Sequence, residues 1–104
     1  MWFSNIDYDK LGSLIKWNPA IKTSDDREAI IKAVNEGVID VIATDHAPHT
    51  KEEKSEKYIN VPSGGPLIQY SLPVLLEMNR KNKISLEKIV EKTSNSVADL
   101  FQIK

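Results

Sequence analysis

The sequence predicts an α/β fold that is part of a larger unit. Three observations carry this reading. Val38-Ile39-Asp40-Val41-Ile42-Ala43-Thr44 is a mostly apolar, β-branched run of the kind that is buried on both faces of a helix-covered parallel sheet. A stretch with helical spacing precedes it, and a short strand candidate, Leu14-Ile15-Lys16-Trp17, precedes that, so the order strand, helix, strand reads as one right-handed βαβ unit. Two parallel strands with three or four helices leave both sheet edges unpaired and bury too little surface for a closed core.

Taken in order, Asn5 to Lys10 is polar and predicts a turn or one short helix ending near Gly12. Leu14–Trp17 is stopped by Asn18-Pro19, because proline offers no ladder donor and pushes the residue before it toward extended geometry. From Ser24, read as the N-cap, Asp25 and Asp26 occupy the first turn, and Ala29, Ile30, Ala33 and Val34 recur at helical spacing until Gly37. After the run ending at Thr44, the chain breaks into Asp45-His46-Ala47-Pro48-His49 and a polar loop with Pro62 and Gly64-Gly65. A helix over about 66–80 follows, kinked or restarted at Pro73. Ser85 opens another amphipathic helix with Leu86, Ile89 and Val90 on one face, and Asn95 or Ser96 caps a last short helix ending near Leu100-Phe101.

Composition excludes several classes. At 104 residues the chain holds one domain at most, and 40% hydrophobic with 28% charged residues is the balance of an ordinary globular protein. A net charge of −1 gives no electrostatic basis for nucleic acid or an anionic membrane as partner. The mixed-sign run Lys51-Glu52-Glu53-Lys54-Ser55-Glu56-Lys57 reads as a solvated loop or helix face. No apolar run approaches the ~20 residues that span a bilayer, and Met1 to Asn5 lacks the basic start and apolar core of a signal peptide. With no cysteine, disulfides and thiolate metal sites are excluded. A cytoplasmic location is the expectation.

Acidic and imidazole groups directly after a buried parallel strand stand where α/β barrels carry catalytic groups. Asp45 begins such a stretch, with His46 and His49 close behind. A carboxylate there can bind a divalent metal or carry a proton to and from a reacting group, and two histidines with one carboxylate nominally suffice for a mononuclear site. The plainer alternative is an aspartate that caps a turn and two loop histidines. The residues alone leave both readings open.

Thr44-Asp45-His46-Ala47-Pro48-His49, followed by Glu52-Glu53-Lys54, resembles the sequence after the eighth barrel strand of the dihydroorotases. Asn18-Pro19-Ala20-Ile21-Lys22, then Asp26-Arg27-Glu28-Ala29, looks like that family's segment after the seventh strand. Pro62-Ser63-Gly64-Gly65-Pro66, Leu72-Pro73, Ser85-Leu86 and Leu100-Phe101 fit its later loop and helices, in order along nearly the whole chain. Hydantoinases and allantoinases share the Asp-His-x-Pro core, but His49 and the Asn-Pro segment favour dihydroorotase.

The resemblance implies a partial (β/α)8 TIM barrel covering roughly the seventh and eighth strands and the C-terminal helices, with residues 1–104 forming the C-terminal part of an amidohydrolase-type catalytic barrel. It implies zinc chemistry, with a binuclear site in the intact enzyme, interconverting N-carbamoyl-L-aspartate and dihydroorotate in pyrimidine biosynthesis. Asp45 would be both zinc ligand and proton shuttle. Asn18, His49, Ser63 and Gly64 match positions that hold the substrate. His46 matches no catalytic position and is read as structural support. Lys22 stands where many relatives have arginine, and Asn95-Ser96-Val97-Ala98 departs from the usual Asn-Pro-Ala.

The family's His-x-His motif, its bridging lysine and its later histidine ligands find no counterpart in these residues. A full barrel needs ~250 residues, so the expectation is a fragment from past the sixth strand to before the closing β-subdomain, inactive without the rest. Other implied possibilities are a non-catalytic, dihydroorotase-like partner of aspartate transcarbamoylase, a homo-oligomer, and a hydantoinase-like or allantoinase-like enzyme.

Overall fold

A computed structural model describes residues 2–103 of the chain. The described residues form six α-helices: α1 Tyr8–Leu11, α2 Ser24–Asn35, α3 Lys51–Lys54, α4 Ile68–Arg80, α5 Leu86–Val90 and α6 Ser96–Phe101. 3-10 turns at Asn5–Asp7 and Gly12–Ile15 flank α1. A π-helical turn, Glu91–Asn95, joins α5 to α6. No described helix is long and apolar enough to cross a membrane.

The helical predictions hold, with shifted ends. Thr23 rather than Ser24 is the N-cap of α2. Its hydroxyl accepts from the Asp26 N–H at 3.3 Å while the Asp26 carboxylate accepts from the Thr23 N–H at 3.0 Å, a reciprocal capping box. Ser85 caps α5 through the Lys88 N–H at 3.1 Å, as the sequence predicts. Helix α4 runs unbroken through Pro73 instead of restarting there. Neither Asn95 nor Ser96 caps α6 by its side chain. Both have helical dihedrals, and α6 continues out of the π-helical turn.

Both predicted strands are absent among the described residues. Leu14 and Ile15 of the first fall within the 3-10 turn Gly12–Ile15, with the Lys16 N–H bonded to the Ser13 carbonyl at 3.1 Å. The run 38–44 passes as irregular backbone. A strand exists only by pairing, and among the described residues no second strand lies beside this run. Its donors turn elsewhere: Val38 and Ile39 to the Ala33 carbonyl at the end of α2, and Ile42 to the Lys92 carbonyl at 2.9 Å. What survives of parallel pairing is one isolated bridge between His46 and Gly65.

The core lies where α2, α4 and α5 meet. Ile31 and Val34 of α2 pack with Leu75 and Met78 of α4, with Ile89 of α5 and with Ile84; Ile39, Ile42 and Val74 border them. Other large apolar side chains stay in solvent, including Ile68, Leu72 and Leu76 on α4 and Leu100 and Phe101 at the end of α6. The radius of gyration, 15.0 Å, exceeds the ~13 Å of a compact domain of this size. The small core and open apolar faces agree with the sequence expectation that these elements do not close a core by themselves.

Candidate active site

The run that packs on the core through Ile39 and Ile42 delivers the chain to Asp45. Asp45 is exposed and takes a left-handed backbone, φ +47°, so the direction of the chain changes at that residue. The His46–Gly65 bridge follows at once, backed by the Ala47 N–H donating to the Gly65 carbonyl at 3.1 Å. The loop after Asp45 is thereby laid along residues 63–65.

Glycine is required at that seam. Gly64 has φ +131°, and a Cβ there would lie 2.6 Å from the Ala47 carbonyl oxygen and 2.7 Å from its Cβ. A Cβ on Gly65 would come within 2.8 Å of Trp17 Nε1, a buried indole nitrogen with no hydrogen-bond partner. The Trp17 ring sits against Gly65 and meets Phe3 edge-on at 5.6 Å. The Gly64 N–H donates to the Lys16 carbonyl at 3.1 Å. The segment leading to Asn18 is therefore joined to the loop that carries Ser63 and Gly64.

Each histidine has one nitrogen committed. His46 Nδ1 accepts from the Ile68 N–H at 3.1 Å, satisfying an otherwise unpaired donor in the first turn of α4. This is the supporting part expected for His46. His49 Nε2 donates to the Ser63 carbonyl at 3.2 Å, and its Nδ1 lies 3.7 Å from the Glu53 carboxylate. Glu53 is fixed by the capping box with Thr50, whose N–H donates to it at 2.8 Å. That bond is the main reason the Glu53 carboxyl sits below the ordinary range, with the charge of the His49 ring adding a smaller push.

The structure brings His49, Ser63 and Gly64 into one cluster, with Asp45, exposed, just before the His46–Gly65 bridge and Asn18, exposed, one residue beyond Trp17. Among the described residues no hydrogen bond joins the Asp45 or Asn18 side chain to the cluster. The same residues do not make a metal centre: no three His, Asp or Glu side chains converge on one point. Asp45 supplies a single carboxylate where a zinc site needs several ligands. By itself the chain offers only part of a zinc site.

Sequence reasoning missed Lys54. The mixed-charge run 51–57 is solvated as expected except at this residue, which is 4% exposed. Its ammonium donates to the Pro62 carbonyl at 2.9 Å and the Lys16 carbonyl at 3.2 Å. A lysine in a row of alternating charges gives no local signal of burial, because its acceptors are backbone carbonyls distant in sequence.

No protein-family model matches the chain. Over all 104 residues it is 36% identical to the dihydroorotase of Halobacterium salinarum, covering 25% of that protein. Among solved structures, the dihydropyrimidinase of Brevibacillus agri superposes on 96% of the chain with a TM-score of 0.85 and 28% identity, over 23% of its own length. The Saccharomyces cerevisiae dihydroorotase, solved with 5-fluoroorotic acid, superposes on 99% of the chain with a TM-score of 0.85, over 28% of its length; at 20% identity this likeness speaks for the fold alone. These neighbours are TIM-barrel amidohydrolases. The chain spans about a quarter of the length of the relatives it matches, and along that span it is similar to the C-terminal part of the dihydroorotases.

Proposed function

We propose that this chain forms one wall of the active site of a zinc-dependent dihydroorotase, a cyclic-amide hydrolase that interconverts N-carbamoyl-L-aspartate and dihydroorotate in the cytoplasmic synthesis of pyrimidines. The likeness to dihydroorotases along all 104 residues carries this reading. Residues 38–44 become the eighth strand once neighbouring strands offer partners, and the Leu14–Trp17 segment follows the course of the seventh.

Within that site Asp45 contributes one carboxylate to a binuclear zinc centre whose other ligands lie outside this sequence. Zinc held there would supply the acidity that activates a water and the charge that polarises a carbonyl. The part of this chain is narrower. As a water oxygen bonds to the ring carbonyl carbon, the Asp45 carboxylate takes the proton that water loses and delivers it to the ring nitrogen as the C–N bond breaks, and the same transfers run backward on closure. Asn18 and His49 hydrogen-bond substrate carboxylate or amide groups, and Ser63-Gly64 lets backbone approach the ring closely. Support for this division comes from the contacts that order His49, Ser63 and Gly64 together. Association with aspartate transcarbamoylase, or with further copies of itself, belongs to the same proposal.

A second reading, an enzyme for hydantoin-type rings, is favoured by the 28% identity and TM-score of 0.85 with a dihydropyrimidinase. Assay of the full-length protein carrying this sequence separates the two: turnover of dihydroorotate and not of hydantoin is expected. In that protein Asp45→Asn should lower kcat by ~10²-fold or more, the scale of a lost general acid–base. Asn18→Ala should act mainly on KM. A near-normal rate for Asp45→Asn removes the assignment.

A further inference from the structure

We propose that Lys54 is a positioning residue of the site proposed above, a buried cationic clamp that fixes the segment bearing Asn18 against the loop bearing Ser63 and Gly64. This rests on that reading of Asn18, Ser63 and Gly64 as substrate-holding residues.

Both ends of Lys54 are tied. Its backbone carbonyl accepts from the Ser13 hydroxyl at 2.6 Å, and its ammonium donates to the Lys16 and Pro62 carbonyls at 3.2 and 2.9 Å. The Lys16 carbonyl also accepts from the Gly64 N–H at 3.1 Å, so one oxygen joins Lys54, Lys16 and Gly64. The bonds are reciprocal, because the Lys16 ammonium reaches across to the Tyr58 carbonyl at 2.7 Å and lies 5.1 Å from the centre of the Tyr58 ring. Two segments about forty residues apart in sequence thus meet through two lysines whose bonds all go to main-chain oxygens.

The head-group chemistry explains the residue type. A buried charge is tolerated only where its donors are satisfied, and charge-assisted bonds are about twice as strong as neutral ones. Burial, then the nearby Lys16 charge, hold the Lys54 pKa below its ordinary value, which marks the cost the two carbonyls offset. An apolar side chain of equal length would fill the space and leave the two loops free to slide. The expected consequence is loss of substrate alignment with the chemistry retained, since misplacement by ~1 Å can cost as much as 10²-fold.

The test uses the full-length protein, with Lys54→Met, Lys54→Arg and Ser13→Ala. Lys54→Met should raise KM for dihydroorotate by ~10-fold or more with kcat and zinc content little changed, and Lys54→Arg should recover most of the loss. Amide hydrogen exchange should quicken at Gly64 in Lys54→Met while α2 and α4 stay protected. If Lys54→Met does not fold, Ser13→Ala, which loosens only the other end, should shift KM and Gly64 exchange the same way by less. Unchanged KM with a lowered melting temperature would reduce Lys54 to a packing residue. A wild-type protein inactive on dihydroorotate sinks the function proposed above; Gly64 exchange then decides the clamp by itself, and no change there overturns it.

Discussion

At Gly64 two demands coincide. The backbone sits at φ +131°, where L side chains are rarely found, and the space a Cβ would need is filled by Ala47 at 2.6–2.7 Å. Gly37 is a useful contrast, with φ +79° but nothing within 4 Å of its missing Cβ. Gly64→Ala should therefore cost about 1–3 kcal/mol of backbone strain and also push apart residues 47 and 64, disturbing the His46–Gly65 bridge. Gly37→Ala carries the dihedral penalty alone. Denaturant unfolding of the two variants checks this, and equal losses would show that the Ala47 contact relaxes freely. As candidates, the proposed site residues were legible through the ordered resemblance. The ties that place them were not: Gly64 to Lys16, His49 to Ser63 and Lys54 to Pro62 all end on main-chain carbonyls. A carbonyl acceptor has no side-chain signature, so a one-dimensional reading finds the donor and not its destination.

Among the elements, helix α4 carries the strongest electrostatic feature. The Arg80 guanidinium donates two bonds to the Glu77 carboxylate, at 2.6 and 2.7 Å, and Lys81 lies 3.5 Å away. The Arg80 bonds are the main cause of the Glu77 pKa falling from 4.5 to about 2, with the Arg80 and Lys81 charges adding to it. A carboxylate pKa depressed by folding contributes stability that is full above its unfolded value and is lost as pH falls through its folded value. Glu77→Gln should accordingly be less stable than wild type at pH 6, and the gap should close as pH is lowered from about 4.5 to about 2. Thermal melts of both proteins across that range measure it; a gap independent of pH would assign the effect to something other than ionisation. Helix positions were readable because spacing and caps are local. The N-cap of α2 was misplaced by one residue, since Thr23 and Ser24 are both good caps and only the reciprocal bonds with Asp26 choose between them. The strand expected at 38–44 is not formed for the opposite reason: its pattern is right for burial in a sheet, but strand structure needs partners that the described residues do not supply.

For the whole molecule, the fold class was legible as part of something larger, and the structure gives that a physical form. The core is confined to α2, α4, α5 and Ile84, while Ile68, Leu72, Leu76, Leu100 and Phe101 face solvent. The candidate site has the same partial character: Asp45 stands at the end of a core-packed run, yet no three potential ligands converge among the described residues. Of the two histidines, each has one ring nitrogen already engaged, His46 by Ile68 and His49 by Ser63. The Ile68 bond leaves the His46 proton on Nε2, and Nδ1 of His49 with the Asp45 carboxylate would offer two donors at most, whereas tight zinc sites use three or four protein ligands with supporting partners. The purified 104-residue chain should therefore retain no stoichiometric zinc through equilibrium dialysis and show no turnover of dihydroorotate. The same segment within the full-length protein should do both. Metal analysis by mass spectrometry with a parallel assay tests each half. One zinc held per isolated chain would mean that Asp45 finds its remaining ligands within these residues, and the assignment of the other ligands to sequence outside them would then fail.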